Sequence, residues 1–326
     1  MPDHAQMQDS TAETDMTARA AWLHFVGGLT QGEVARRLGV PPTRAHRYIA
    51  RAQALGLVQI SVTATESGCI ALEERLRSRF GLDFCRVAMD VPEPQALPLR
   101  ALAAAGSVWL RDTLARGDHA VIGIGQGRTL AAVVDALGRT DPPDARFVSL
   151  LGGLTRSFAA NPYDVIHALA MRTGADAWLM PAPLFADSEE DKRVMRSQAI
   201  LRGVFNRMAQ ASLAVIGIGD LHGGFGAVSA MHDGAALMAR IRAEGAQAEI
   251  LGQFLDAQGR ILPTPLDARV MAMPLADLAA RKVVAIAGGA EKHNAIRATL
   301  RSGLLSGLIL DETTARVLDS DGEQAA

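Results

Sequence analysis

The sequence predicts an α/β protein with two parts, a short all-helical module and a larger domain built on a parallel sheet. Three observations predict it. The residues from 30 to 58 have the pattern of two short helices joined by a turn with glycine. From Leu82 onward, strand-like apolar runs alternate with helical patterns, which is typical of a parallel sheet covered by helices. Several strand-like runs are followed directly by glycine-rich loops, and ligands bind at that edge of such sheets.

The helical module carries the start and stop signals of two helices. Thr30, with Glu33 three residues later, forms a capping-box start, and Gly39 ends the first helix. Pro42 suits the first turn of the second helix, which Gly56 stops. Two short helices joined by such a turn make a helix-turn-helix, whose second helix enters the major groove of DNA.

The second helix carries a row of arginines. Arg44, Arg47 and Arg51 recur at i, i+3 and i+7 on one face, where arginine can bond guanine edges and phosphates. Between Thr17 and Ile60 there are six arginines and one acid, whereas the flanking parts of the chain are acidic. DNA binding is therefore predicted, with a solvated arginine face as the alternative. The predicted DNA-binding residues are Thr30, Gln31, Thr43, Arg44, His46, Arg47 and Arg51.

Composition limits the class of protein. The chain has 326 residues, enough for about two domains, and a hydrophobic share of 49 % that permits a sizeable core. Since no run of about 18 apolar residues occurs, no membrane partner is expected. The acidic N-terminus is neither a signal nor a transit peptide, and the two cysteines give no metal or disulfide spacing. We therefore expect a cytoplasmic protein with no metal and no cofactor.

The larger domain is predicted from seven strand-like runs with helical patterns between them. The runs are Cys85–Met89, Ala120–Ile124, Phe147–Leu151, Ala177–Met180, Leu213–Ile218, Val283–Ala287 and Leu308–Leu310. The helical patterns include Leu99–Leu114, Thr129–Leu137, Tyr163–Arg172, Glu189–Gln210, Gly234–Arg242 and Lys292–Ser302. A further strand is expected at 58–62 and a connecting helix at 66–80. The loop at 181–191 could cover a pocket or be an ordinary surface connection.

Four glycine-rich loops follow predicted strands. They are GIGQGRTL (Gly123–Leu130), LLGGL (Leu150–Leu154), GIGDLHGG (Gly217–Gly224) and IAGGAEKHNAI (Ile286–Ile296). Glycine lets backbone amides approach an anion, and a helix N-terminus adds positive polarity. The first loop has Arg128 where the dinucleotide fingerprint requires glycine, and it lacks the Walker lysine. Four such loops at one sheet edge therefore predict a site for a polyhydroxy or phosphorylated small molecule.

With these motifs, the chain resembles the SorC family of bacterial sugar-responsive transcriptional regulators, from about Thr17 to Leu318. The resemblance rests on TQGEVARRLGV and the arginine-bearing helix, on GIGQGRTL, LLGGL, PAPLF and AVIGIGD, and most specifically on the closing GGxxK and LILDExTA block. It implies an N-terminal helix-turn-helix and a Rossmann-like α/β effector domain similar to phosphosugar isomerases. It also implies a bound sugar or sugar phosphate that is not converted, and dimers or tetramers on palindromic operator DNA.

The AHRYIARA stretch resembles the family branch that controls polyol catabolism, such as erythritol regulators. This implies a small polyol, or a phosphorylated derivative of one, as the effector. The chain departs from the family at Gln126, where tryptophan is common. It also departs at Pro41-Pro42 and Ala45-His46, where Ser-Arg and Val-Ser pairs are common.

Carried over residue by residue, the resemblance implies an effector site. Its residues are Gly123, Gly125, Gln126, Gly127, Arg128, Thr129, Gly152, Gly153, Asn161, Glu249 and Lys292. Three of them have a structural alternative: Asn161 as a helix cap, Glu249 as part of a salt bridge at a strand start, and Lys292 as a solvated helix residue. Asp311 is expected to cap the last helix and not to bind the effector.

We therefore expect a DNA-binding repressor of a sugar or polyol catabolic operon, and not an enzyme. The alternative is a phosphosugar isomerase or deaminase with a DNA-binding appendage. It would need a paired acid and base, for which Asp220, His222 and Glu249 are the candidates. The missing third glycine argues against a nicotinamide-dependent oxidoreductase. The expected parts are a disordered leader (1–16), a helix-turn-helix domain (17–62), a linker helix (63–81), an effector-binding and oligomerisation domain (82–319) and a tail (320–326).

Overall fold

The computed structural model describes residues 4–58, 67–94, 96–140, 144–154, 165–221, 228, 231 and 233–323. Residues Met1–Val62 form one compact unit and residues Thr63–Ala326 a second one. These are named the N-terminal unit and the C-terminal unit. The predicted strand at 58–62 lies outside the described residues from position 59 onward.

The described part of the N-terminal unit contains three α-helices. They are α1 (His4–Ala21), α2 (Gln31–Leu38) and α3 (Pro42–Ala54), with a π-helical turn at Trp22–Val26 after α1. Val34 and Ala35 of α2 pack with Ala45, Tyr48 and Ile49 of α3 in one buried cluster. The apolar positions predicted for the two helices of the helix-turn-helix therefore form its core.

The helix boundaries follow the predicted signals. Thr30 Oγ1 accepts a hydrogen bond from Glu33 N–H, and Thr30 N–H donates to the Glu33 carboxylate at 2.8 Å, so the capping box is complete. Gly39 ends α2 with a φ of 65°, a left-handed conformation that suits glycine. Pro42 is the first residue of α3. The predicted helix-turn-helix is confirmed.

The first helix differs from the prediction for residues 1–16. A disordered leader was expected there from the polar composition, but α1 begins at His4. Its last turns are anchored by packing, since Thr17 and Ala20 are fully buried and Ala20 belongs to the same cluster as Val34 and Tyr48. Because the buried side chains are small, the sequence of α1 lacks the strong apolar periodicity by which a helix is predicted.

The C-terminal unit is built on a seven-stranded sheet in which all paired strands are parallel. Its order is β1-β10-β9-β5-β2-β3-β4. The strands are β1 (Phe84–Ala88), β2 (Val121–Ile124), β3 (Arg146–Ser149), β4 (Ala177–Trp178), β5 (Leu213–Ile216), β9 (Lys282–Ile286) and β10 (Gly307–Asp311). Each of the seven predicted strands is found in this sheet, which confirms the predicted α/β class.

Helices connect the strands and pack against the sheet, whose residues are divided between two buried clusters. They are α4 (Ser67–Phe80), α5 (Leu99–Arg116), α6 (Arg128–Ala136), α7 (Val165–Thr173), α8 (Glu189–Ser197), α9 (Ala199–Gln210), α10 (Gly234–Ala243), α11 (Leu275–Leu278), α12 (His293–Arg301) and α13 (Glu312–Glu323). The single helix predicted at Glu189–Gln210 is wrong. Gln198 is extended, with φ −68° and ψ 136°, and separates α8 from α9.

A small antiparallel sheet was missed by the sequence analysis. It consists of β6 (Ala246–Ile250), β7 (Gln253–Asp256) and β8 (Ile261–Leu262). Leu251 and Gly252 form the turn between β6 and β7, with φ values of 53° and 79°. Two positive φ angles are typical of a tight hairpin turn, for which leucine is an unusual residue. The end of β6 lies beside the loop after β5, where Gly219 and Glu249 form an isolated bridge.

No helix in the described part of the chain is long and apolar enough to cross a membrane.

Gly123 in β2 offers a test of how tightly the sheet is packed. A Cβ atom at this position would lie 2.5 Å from Leu150 Cδ2. Gly123→Ala should therefore destabilise the C-terminal unit by about 1–3 kcal/mol through overpacking. Urea unfolding followed by tryptophan fluorescence measures this change.

The matched control is Gly203→Ala in α9, where a Cβ would be 3.4 Å from the flexible Arg207 side chain. Alanine should stabilise this helix by about 0.5–1 kcal/mol. Equal stability of Gly123→Ala and the wild type would show that β2 and Leu150 can move apart without cost.

Candidate functional site

The loops after β9, β5, β2 and β3 lie at one edge of the sheet. These four strands are neighbours in the sheet and run parallel, so their carboxyl ends meet. In open parallel sheets this edge is where ligands bind. The four glycine-rich loops predicted from sequence therefore converge, although the loop after β5 is described only up to Leu221.

The loop after β2 presents the N-terminus of α6. Gly125 N–H donates to Val215 O at 2.8 Å, which holds the loop against β5. Gly127 has φ 127° and ψ 169°, a conformation restricted to glycine, and a Cβ there would meet nothing within 4 Å. Arg128 begins α6 with an exposed side chain, and Thr129 is buried. The loop thus offers a helix N-terminus and a cation beside open space.

Three of the predicted site glycines have packing roles instead. Gly123 lies inside β2 and makes room for Leu150. Gly152 N–H donates to Met271 O, and Gly153 N–H donates to Ala182 O, both at 2.8 Å. Because these amides already have backbone partners, they are not available to an anion. Gly123 of β2 and Gly152 and Gly153 of LLGGL therefore shape this edge of the sheet through packing and backbone hydrogen bonds.

Lys292 is buried at the same edge. It ends a short 3₁₀ turn (Ala290–Lys292) before α12, and only 9 % of its surface is exposed. Its Nζ donates a hydrogen bond to Ile218 O at 2.7 Å, in the loop after β5. Burial lowers the pKa of Lys292, as does the positive charge of Arg128, whereas Asp220 and Glu249 act in the opposite direction. Lys292 is thus not a solvated helix residue.

Glu249 reaches this edge from the small sheet. Gly219 and Glu249 exchange two backbone hydrogen bonds, of 2.9 and 3.0 Å, which join β6 to the loop after β5. A Cβ on Gly219 would overlap the Glu249 carboxylate, so glycine is required for this approach. Gly252 N–H donates to Glu249 Oε1. Burial raises the pKa of Glu249 to about 7, although the Gly252 hydrogen bond and Lys292 both act to lower it.

Arg128, Asp220, Glu249 and Lys292 form one group, named the charged cluster. Each of the other three is close enough to alter the pKa of Lys292. Asp220, which is half-buried, was not among the predicted effector residues. Cations can bind a phosphate, while carboxylates accept hydrogen bonds from hydroxyl groups. In the described part of the chain, no group of three or more His, Cys, Asp or Glu side chains could hold a metal ion.

Three further residues that the sequence analysis considered remain to be placed. Asn161 and His222 lie outside the described residues. Asp311 caps α13 as expected, since its carboxylate accepts a hydrogen bond from Thr314 N–H at 3.0 Å. It also accepts one from Gly289 N–H at 3.0 Å, a contact that the sequence did not indicate.

The predicted DNA-binding residues lie in the N-terminal unit. Gln31, Thr43, Arg44, His46 and Arg47 are exposed. Two others already have roles within the unit. Thr30 caps α2, and Arg51 Nη1 forms an ion pair with Glu13 of α1 at 2.9 Å. Arg44 and Arg47 are thus exposed on one face of α3.

Residues 65–318, more than half of the chain, match the family model described as "Putative sugar-binding domain". The erythritol catabolism regulatory protein EryD of Brucella abortus is 46 % identical over 307 residues, covering 94 % of this chain and 97 % of EryD. The chain belongs to the SorC family of transcriptional regulators. The transcriptional regulator LsrR of an Enterobacter species is 30 % identical over 318 residues, 94 % of this chain and 93 % of LsrR.

The fold agrees with this membership. The full-length sorbitol operon regulator SorC of Klebsiella pneumoniae is similar in structure, with a TM-score of 0.68 and 23 % identity. That similarity covers 94 % of this chain and 99 % of the SorC chain. Since these relatives are transcriptional regulators, the regulator prediction is confirmed over the isomerase alternative.

The raised pKa of Glu249 predicts how stability depends on pH. The pKa of the Glu249 carboxyl is near its ordinary value of 4.5 in the unfolded chain and about 7 in the folded one. Between these pH values the folded state therefore binds more protons than the unfolded state. The free energy of unfolding should therefore fall as pH rises from about 4.5 to 7, by up to about 3 kcal/mol. Glu249→Gln should lose this dependence.

Urea unfolding at pH 5 and pH 8 measures the effect. The difference in the free energy of unfolding, Glu249→Gln minus wild type, should be larger at pH 8 than at pH 5. Glu190→Gln, at an exposed position on α8, is the matched control and should follow the wild-type curve. Parallel curves for Glu249→Gln and the wild type would contradict the buried, proton-binding state of Glu249.

Proposed function

We propose that the protein represses a polyol catabolic operon and that a small polyol or its phosphate releases it from operator DNA. The charged cluster carries this proposal, because it joins cations and carboxylates at the ligand-binding edge of a chain that also holds a helix-turn-helix. The 46 % identity to EryD, an erythritol catabolism regulatory protein, supports a polyol as the effector. Binding to DNA would place the protein in the cytoplasm.

The chemistry of the charged cluster suits a phosphorylated polyol. A phosphate at the N-terminus of α6 would interact with the backbone amides there and with Arg128 and Lys292. Glu249 and Asp220 would accept hydrogen bonds from hydroxyl groups. Gly125, Gln126, Gly127 and Thr129 would line the phosphate end of the same site.

The operator is proposed to be a pseudo-palindrome bound by a homo-oligomer, a dimer or a tetramer. One helix-turn-helix covers only a half-site, so two copies related by two-fold symmetry are needed for a full one. Arg44, Arg47, Thr43, His46 and Gln31 would face each half-site. Arg51 would contribute less, because its guanidinium is paired with Glu13.

Arg47→Ala tests the DNA-binding surface. If Arg47 bonds a base edge, the variant should bind operator DNA more weakly by about 1–3 kcal/mol, or roughly 5- to 150-fold in Kd. Fluorescence anisotropy on a duplex selected by the protein from a random-sequence pool measures this. Arg116→Ala, at an exposed position on α5, is the control. Wild-type affinity of both Arg47→Ala and Arg44→Ala would remove α3 as the recognition helix.

Lys292→Met tests the effector site. The methionine fills a similar volume but cannot donate hydrogen bonds, so erythritol phosphate should bind at least roughly tenfold more weakly. Calorimetry with erythritol and with erythritol phosphate measures this and separates the two ligand classes. Affinity for operator DNA without ligand should stay unchanged.

The matched control for this variant is Lys282→Met, an exposed lysine at the opposite end of β9. It should bind ligand as the wild type does. If Lys292→Met and Arg128→Ala both bind ligand normally, the effector site lies elsewhere. If Lys292→Met also loses DNA binding without ligand, the lysine maintains the fold and does not bind the effector.

A further inference from the structure

Asp311, the last residue of β10, is buried and bonds to two separate elements. Its Oδ1 accepts a hydrogen bond from Gly289 N–H, and its Oδ2 accepts one from Thr314 N–H, each at 3.0 Å. Gly289 begins the turn that carries Lys292, since Lys292 N–H donates to Gly289 O at 2.9 Å. Thr314 lies in the first turn of α13. One carboxylate therefore joins the Lys292 turn (Gly289–Lys292) to α13.

The contact between Asp311 and the Lys292 turn leaves the turn little room to move. A Cβ on Gly288 would overlap Asp311 Oδ1, and Gly289 has a φ of 97°. Thr314 Oγ1, which is fully buried, also accepts a hydrogen bond from Gly289 N–H at 3.0 Å. Breaking these bonds would leave buried polar groups without partners, which is costly. A displacement of the Lys292 turn is therefore passed to Asp311 and the start of α13.

The other end of α13 is attached to α4. The Arg75 guanidinium donates three hydrogen bonds to the two oxygens of the Asp319 carboxylate, at 2.7, 2.9 and 3.0 Å, and Arg79 Nη1 donates to Leu318 O at 2.8 Å. Leu76 and Leu318 are buried in the same cluster. In the chain, α4 is the first described element after the N-terminal unit. The hydrogen bonds thus form an uninterrupted series from the Lys292 turn to α4.

We propose that Asp311 couples the effector site to α4 through α13, so that a ligand on Lys292 changes α4, the first described element after the N-terminal unit. The inference rests on the proposed function, because it assigns a response to ligand binding at the charged cluster. Asp311 acts as a positioning residue and touches neither ligand nor DNA. Coupling of this kind requires that α4 and α13 respond both to the effector and to operator DNA.

Asp311→Asn tests the coupling in the full-length protein. Asparagine still caps a helix, but its amide nitrogen cannot accept a hydrogen bond, so one of the two links is lost. Hydrogen–deuterium exchange with and without erythritol phosphate measures the exchange rates of the backbone amides of α4 and α13 directly. In the wild type the ligand should change exchange in both helices. In Asp311→Asn the change should be confined to the effector loops, with the calorimetric Kd for ligand close to that of the wild type.

Arg75→Gln provides a second variant that does not disturb the core. Arg75 is largely exposed, and its loss should uncouple α4 from α13. The matched control is Arg172→Gln, which breaks the Arg172–Asp135 ion pair of 2.9 Å elsewhere in the same unit. The ligand should change the operator Kd about tenfold in the wild type and the control, and much less in Arg75→Gln and Asp311→Asn.

The outcomes distinguish the two proposals. Ligand binding by both variants with unchanged responses in α4, α13 and operator affinity would overturn the role of Asp311 and leave the proposed function standing. If Asp311→Asn does not fold, Arg75→Gln decides alone. A wild-type protein that binds neither erythritol nor its phosphate would overturn the proposed effector, and this inference with it.

Discussion

Four neighbouring strands of the parallel sheet end at one edge, and the charged cluster depends on this convergence. Arg128, Asp220 and Lys292 are distant in sequence and meet only because the loops after β2, β5 and β9 are adjacent. The close approach of these loops requires glycine at particular positions. Gly123 accommodates Leu150, and Gly219 accommodates the Glu249 carboxylate. Gly123 thus permits close packing at this edge, and Gly219 lets the Glu249 carboxylate approach the loop after β5.

Burial determines the electrostatics of the cluster. It raises the pKa of Glu249 and lowers that of Lys292, so for each group the loss of water outweighs the attraction between them. The Ile218 carbonyl and the Gly252 amide replace only part of the lost hydration. A ligand with hydroxyl and phosphate groups would supply further polar partners to groups already desolvated. Such bonds discriminate strongly against apolar ligands, since the polar groups would then stay unpaired.

Features that are encoded locally were predictable from the sequence. The seven strands, the capping box of Thr30 and the left-handed Gly39 each depend on patterns within a few residues. The break at Gln198 and the hairpin turn at Leu251 were not predictable, because neither residue is a typical helix stop or turn former. Leu251 is buried in the core of the C-terminal unit, so packing accounts for its conformation, whereas Gln198 is exposed. Glu249 and Lys292 were indicated by family resemblance alone, and the approach of Glu249 to the loop that carries Asp220 depends on the hairpin that sequence reasoning missed.

Two of the charged groups are held in position by hydrogen bonds to the backbone. Glu249 Oε1 accepts a hydrogen bond from the Gly252 amide, and the Glu249 backbone is bonded to Gly219. The Lys292 ammonium is likewise bonded to the Ile218 carbonyl, in the loop after β5. A ligand that competes for that ammonium must therefore alter the contact between the loops after β5 and β9. The same bond that holds Lys292 in place thus makes ligand binding and loop position interdependent.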